Sequence, residues 1–169
     1  DSTNFNVSFD INQFNVKHLE TYLANISDEF SGAGAGRFDL FGSINKPRFD
    51  GELWVEDLFI SVPYLNVDLK ALTQSRIQFS DRDITFLKFD FVSIEEDNTI
   101  GNGNLKGSLE HMNFKDFSMN LSLTTDSLLI LNTNAYNEEA YYGRAITTGD
   151  VNLSGPFNAI KIDLNARTN

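Results

Sequence analysis

The sequence contains no cysteine, one tryptophan, two methionines and two histidines. Without cysteine, no disulfide or thiolate metal site holds the fold, so its 169 residues depend on apolar burial and backbone pairing. No stretch approaches eighteen consecutive apolar residues, and Asp1-Ser2-Thr3-Asn4 carries neither the basic nor the apolar part of a secretion signal. Any membrane anchor of a full-length parent would therefore have to lie outside residues 1–169, which read as a single domain excised from a larger protein. Positive charge is scarce too. Thirteen basic against twenty-four acidic residues give a net charge of -11, which excludes the basic stripe that nucleic acid requires.

Catalytic and ligand motifs are equally thin. His18 and His111 have no acidic or cysteine partners at metal-ligand spacing. The carboxylates Asp81 and Asp83, and those of Glu95 to Asp97, fall where turns are expected, so they solvate loops and no catalytic residue is assigned. Gly32-Ala33-Gly34-Ala35-Gly36 lacks the last glycine of a dinucleotide fingerprint and has no strand-to-helix context. Asp97 to Asn104 fails the EF-hand spacing, so neither metal nor cofactor is expected.

What is abundant is phenylalanine, with fifteen residues, most of them in strict alternation with polar ones. Phe5, Val7, Phe9 and Ile11 alternate with asparagine, serine and aspartate. Phe38, Leu40 and Ile44 share one face with Gly42 between them, and Leu53 and Val55 resume that face after Pro47. At Glu56-Asp57 the phase slips, and Leu58, Ile60, Val62 and Tyr64 continue on even positions, so a β-bulge is expected near Asp57. Val67 and Leu69, Ile77 and Phe79, and Ile84 and Phe86 follow as a meander. Phe89 and Phe91 lie out of phase with Phe86, which predicts a second bulge at Phe86 to Leu87. Leu105 and Leu109, then Phe117, Met119, Leu121 and Leu123, then Val151 and Leu153 against Ile160, Ile162 and Leu164 complete the series. One helix is predicted over about 16–26, where Leu19, Tyr22, Leu23 and Ile26 recur at helical spacing and would plug one end of a sheet. Roughly a dozen strands ~4.8 Å apart would extend ~55 Å, and such a sheet curls.

Ser31 to Tyr64 resembles the C-terminal domain of the TamB family, the large subunit of the bacterial translocation and assembly module. The likeness is carried by the small-residue run Gly32 to Gly36, the strand Phe38 to Gly42, Pro47, Gly51 and the closing Tyr64. Later landmarks are Gly101-Asn102-Gly103-Asn104-Leu105-Lys106-Gly107, Tyr142-Gly143-Arg144-Ala145 and Gly155-Pro156. The resemblance implies an AsmA-like, non-enzymatic protein anchored in the inner membrane of a Gram-negative bacterium and spanning the periplasm. It also implies phospholipid carriage along a β-groove, with an outer-membrane β-barrel of the TamA/BamA type as partner.

The fold expected is all-β: a long, mostly antiparallel curved sheet folded into an open trough, with an apolar concave face and one short helix. Its lining would be Phe38, Leu40, Ile44, Leu53, Val55, Ile60, Val62, Phe79, Phe89, Phe91, Leu105, Leu109, Phe117, Met119, Leu121, Leu123, Val151, Leu153, Ile160 and Ile162. The alternation alone equally allows the same face to close as a sandwich core. A second role is a scaffold that helps outer-membrane β-barrel proteins or autotransporters insert by strand addition, through the edges Phe5 to Ile11 or Ile160 to Ala166. An enzyme or glycan binder would need a converging pocket, for which Trp54 is the lone aromatic candidate, and its parity places it on the outer face instead.

Overall fold

A computed structural model describes residues 4–19, 27–63, 65–112, 115–134 and 142–168. Ten strands form one antiparallel sheet: β1 (Asn4–Asn15), β2 (Glu29–Ser43), β3 (Lys46–Val62), β4 (Val67–Ala71), β5 (Ser75–Phe79), β6 (Asp83–Glu95), β7 (Asn98–Met112), β8 (Lys115–Thr133), β9 (Gly143–Pro156) and β10 (Lys161–Thr168). The order across the sheet is the order along the chain, except that β4 and β5 share one lane between β3 and β6. β4 pairs with the far part of β3 and β5 with the near part. The sheet is not a closed barrel, since β1 and β10 lie at its two ends. Nine lanes make eight steps of ~4.8 Å, about 38 Å along the hydrogen-bonding direction, shorter than the ~55 Å expected from a dozen strands.

Strict alternation is what makes the sheet two-faced. In the observed register one cross-strand row runs Ile11, Gly36, Leu53, Ile77, Phe86, Gly107, Leu121, Leu153, Ile162 from β1 to β10. The neighbouring row, one residue on, runs Asp10, Arg37, Glu52, Gln78, Thr85, Ser108, Asn120, Ser154, Lys161. A one-residue slip anywhere would exchange the two, so the pattern itself fixes the register. Trp54 pairs with Ala35 and Arg76 and so lies on the polar side, as its parity predicts.

Bulges keep the apolar phase where the sequence shifts. Between Ser31 and Ala33 the pairing skips from Phe59 to Glu56, and Asp57 takes a left-handed φ of 50°. Leu53, Val55, Leu58 and Val62 are all buried as a result. The second expected bulge is present as well, since Phe86 pairs with Gly107 but Phe89 with Leu105. Its extra residues leave Leu87 exposed. At the β6–β7 hairpin, Glu96 and Asp97 both have positive φ, 49° and 65°, the two-residue turn that matches strand twist.

The helix expected over 16–26 is a 3-10 turn over Val16–Leu19. A 3-10 turn is the short, tighter form that ends a chain reversal, and here the Lys17 amide is capped by Asn15 Oδ1 at 2.9 Å. Residues 20–26, which hold Tyr22, Leu23 and Ile26, lie outside the described residues, as does Tyr64. No helix among the described residues is long and apolar enough to cross a membrane.

Candidate functional site

The apolar face divides into two parts. Over β2, β3 and β6 it is filled. Val16, Phe38, Leu53, Val55, Leu58 and Phe89 form one buried cluster, with Ile11, Phe14, Phe49, Phe79 and Phe86 packed against it. Phe38 is the hub: its ring lies 5.6 Å from Phe9, 5.3 Å from Phe49 and 5.8 Å from Phe79. It rests over bare backbone, because a Cβ on Gly51 would sit 2.0 Å from Phe38 Cδ1. The glycine in the row is therefore the space that the ring of the adjacent strand occupies.

Over β7 to β10 the same face is open. Leu105, Leu109, Phe117, Met119, Leu121, Leu123, Val151 and Leu153 are each only partly buried. Ile162 and Leu164, at the last lane, are 64% and 62% exposed. The accessible surface of the chain is 11090 Å². A compact monomer of 19.0 kDa would expose ~8,400 Å².

One end of the trough is shut by the chain itself. β8 leaves β7 at the pair Asn102 and Asp126 and runs on to Thr133. There the Leu129 amide donates to Ser93 Oγ at 2.9 Å, and the Ser93 hydroxyl donates to Ile100 O at 2.8 Å. Further on, the Asn132 amide donates to Leu65 O at 2.9 Å and Asn66 Nδ2 to Asn132 O at 2.6 Å. This clasp of β8 on the β3–β4 turn leaves Leu128 and Leu129, consecutive residues, each 1% exposed. Arg144 Nη2 bonds Glu95 Oε2 at 2.9 Å beside it. Hydrogen bonding from Arg144 holds the Glu95 carboxyl below the usual carboxylate range.

The opposite end opens as a cleft of about 1030 Å³ between the β2–β3 and β5–β6 turns and the adjoining ends of β7 and β8. Leu40, Phe49 and Met112 give it an apolar floor, and Arg48, Asp81, Arg82, Asp83, Glu110 and Asp116 a charged rim. Arg48 Nε donates to Asp81 Oδ2 at 2.6 Å, and the Phe49 amide to Asp81 Oδ1 at 2.7 Å. The Arg48 hydrogen bond, then the Phe49 amide, hold the Asp81 carboxyl below its ordinary value. His111 is buried at this end, its ring 5.7 Å from that of Phe117, which stacks on Phe157 at 5.5 Å.

Of the residues predicted to line a groove, Phe38, Leu53, Val55, Val62, Phe89 and Phe91 lie in the buried part of this face. Leu40, Ile60 and Phe79 are half-buried on it. Two do not join the rows: Ile44 stands in the β2–β3 turn, 78% exposed, and Ile160 precedes β10. Phe14 and Leu128 complete the apolar face, and Leu129 is buried beside the clasp, without having been singled out in the sequence.

Residues 93–169, which contain the end of β6 and all of β7 to β10, match the family model described as the TamB C-terminal domain. No curated protein and no solved structure matches the chain. The matched part is the half of the sheet whose apolar face lies open, and over those residues the chain is similar to the TamB family.

Proposed function

We propose that this chain is a non-enzymatic segment of a phospholipid conduit, in which acyl chains lie along the apolar face of the sheet in the periplasm. The observation that carries this reading is the row from Leu105 through Leu123 to Val151 and Leu164, an apolar surface that the sheet presents without covering it. Soluble proteins rarely expose an apolar patch beyond a few hundred Å², and a wider one calls for an occupant. An acyl chain fits, because each methylene removed from water contributes about 0.8 kcal/mol whatever its position along the row. Holding is then strong while sliding changes the energy little. The inner-membrane anchor and the outer-membrane β-barrel partner of the TamA/BamA type belong to the same proposal, which the similarity of residues 93–169 to the TamB C-terminal domain supports.

In-cell photocrosslinking tests it, with the probe at Met119 on the apolar face and at Asn120 on the polar face. Phospholipid captured at Met119 and not at Asn120 is the expected result. Intrachain products alone at Met119 would sink the conduit. In the same assay Leu121→Lys, which puts a charge on the apolar face, should reduce lipid capture at Met119 several-fold more than Asn120→Lys.

A second reading rests on a different feature. β1 and β10 are paired on one side only among the described residues, so each leaves a row of backbone donors and acceptors for an added strand. That is what a scaffold assisting β-barrel or autotransporter insertion would use. Crosslinks from Ser8 or Asp163 to a client strand, with none to lipid from Met119, would favour it.

A further inference from the structure

The open rows of β7 to β10 leave the Gly-Ala-Gly-Ala-Gly run without a role, and its place in the fold gives it one. Gly34 and Gly36 face the apolar side of β2, where they make a floor without side chains. Onto this floor the chain lays its own first segment. β1 pairs Ile11 with Gly36, then adds a residue and pairs Phe14 with Gly34. That irregularity turns both Ile11 and Phe14 to the apolar side. The Phe14 ring fills the space over Gly34 so closely that a Cβ there would lie 2.0 Å from Cε1 and 2.5 Å from Cζ. Val16, on the following 3-10 turn, is 1% exposed within the cluster of Leu53, Val55, Leu58 and Phe89. Lys17 and His18 are exposed. Among the described residues nothing comparable covers the rows of β7 to β10.

We infer that Ile11, Phe14 and Val16 are a built-in occupant of the trough, a plug that takes the place of an acyl chain over β2, β3 and β6 and competes with one for it. The inference rests on the lipid reading above and adds a location and a regulation to it. Free acyl chains enter over β7 to β10, and they reach the Gly34–Gly36 floor only when the β1 segment lifts. Two features favour exchange over permanent packing. The Phe14 ring contacts glycine backbone, so it leaves without stranding an interlocked side chain. What replaces it is apolar and fits the same flat floor.

The test uses the full chain and a fluorescent polyene fatty acid as probe. Phe14→Ala removes the ring. Gly34→Ala expels it by filling its space, and Gly34 has no left-handed φ to forbid the change. The two variants thus open the plug by opposite chemistry, and circular dichroism confirms that each is folded. A thiol introduced as Val55→Cys, the only one in the chain, reports opening independently of lipid. Both variants should raise its maleimide labelling rate about tenfold, as local opening predicts. Saturating fatty acid should slow that labelling again, and the number of probe molecules bound should rise. If labelling rises but the probe protects nothing while still binding the wild type, the plug does not compete and the inference falls. If no variant and no wild type binds the probe, the lipid reading itself falls, and the plug with it. If labelling and binding both stay at wild-type values in folded variants, the segment is fixed core and the inference is overturned.

Discussion

The two halves of the sheet are built on one pattern and reach different ends. β2 to β6 spend their apolar face on phenylalanines that stack over glycines and on a segment folded back from β1. β7 to β10 carry leucine, methionine and valine at the same row positions and leave them half open. The difference lies in side-chain size and in what covers the row, since backbone and register continue unbroken from Ile11 to Ile162. The rows are therefore closely packed in the first half and half-open in the second, where full burial is confined to the ends of the strands, as at Leu128 and Leu129.

The largest effect that would break this contrast is expected at Phe38. Phe38→Ala, at the hub of four rings, should cost about 3–5 kcal/mol by urea unfolding. Leu121→Ala, on the same face but half-open, should cost about 1 kcal/mol, because less of the side chain leaves water on folding. Equal losses would mean that both halves are closed core. Gly103→Ala comes next. A Cβ there would lie 2.8 Å from the Phe91 ring and 3.2 Å from Leu128, so about 1–3 kcal/mol of overpacking should appear in the unfolding midpoint.

The smallest effect is electrostatic. Arg48 holds Asp81 below its ordinary carboxylate value, so this contribution is present above about pH 4, the unfolded carboxylate range, and is lost as pH falls through the lowered folded value. Asp81→Asn should lower the melting temperature slightly at pH 7, and the difference should shrink as pH falls through the lowered folded value, where the wild type loses the charge as well. A difference that persisted at the lower pH would mean that the Phe49 amide bond, and not the charge, matters at this rim.

Much of the fold was legible because period-two alternation states a residue's face directly. The bulges at Asp57 and at Phe86 to Leu87 could be read because each sits between two long runs whose phases disagree. The bulge at Asp126 and Ser127 could not. There Leu128 and Leu129 are both apolar, and adjacent apolar residues have no phase. Only the clasp on Ser93 and Leu65, a long-range fact, explains why both are covered. The pairing of β4 and β5 into one lane was hidden for a related reason, since two five-residue strands look like two lanes. In the same way the Phe14 plug was invisible, because a glycine reveals the room it leaves only when the ring that takes it is known. Of the residues expected to line a groove, Ile44 falls outside the rows because the turn begins one residue before the alternation stops.

The order of the strands across the sheet repeats their order along the chain, and among the described residues no lane bonds any but its neighbours apart from the clasp of β8 and the Arg144–Glu95 ion pair between β9 and β6. A duplicated or deleted hairpin would therefore lengthen or shorten the trough by about 10 Å, two lane spacings, without changing its cross-section. In such an architecture the span is a quantity that gene rearrangement can adjust in steps, while the profile that grips a passenger is inherited intact.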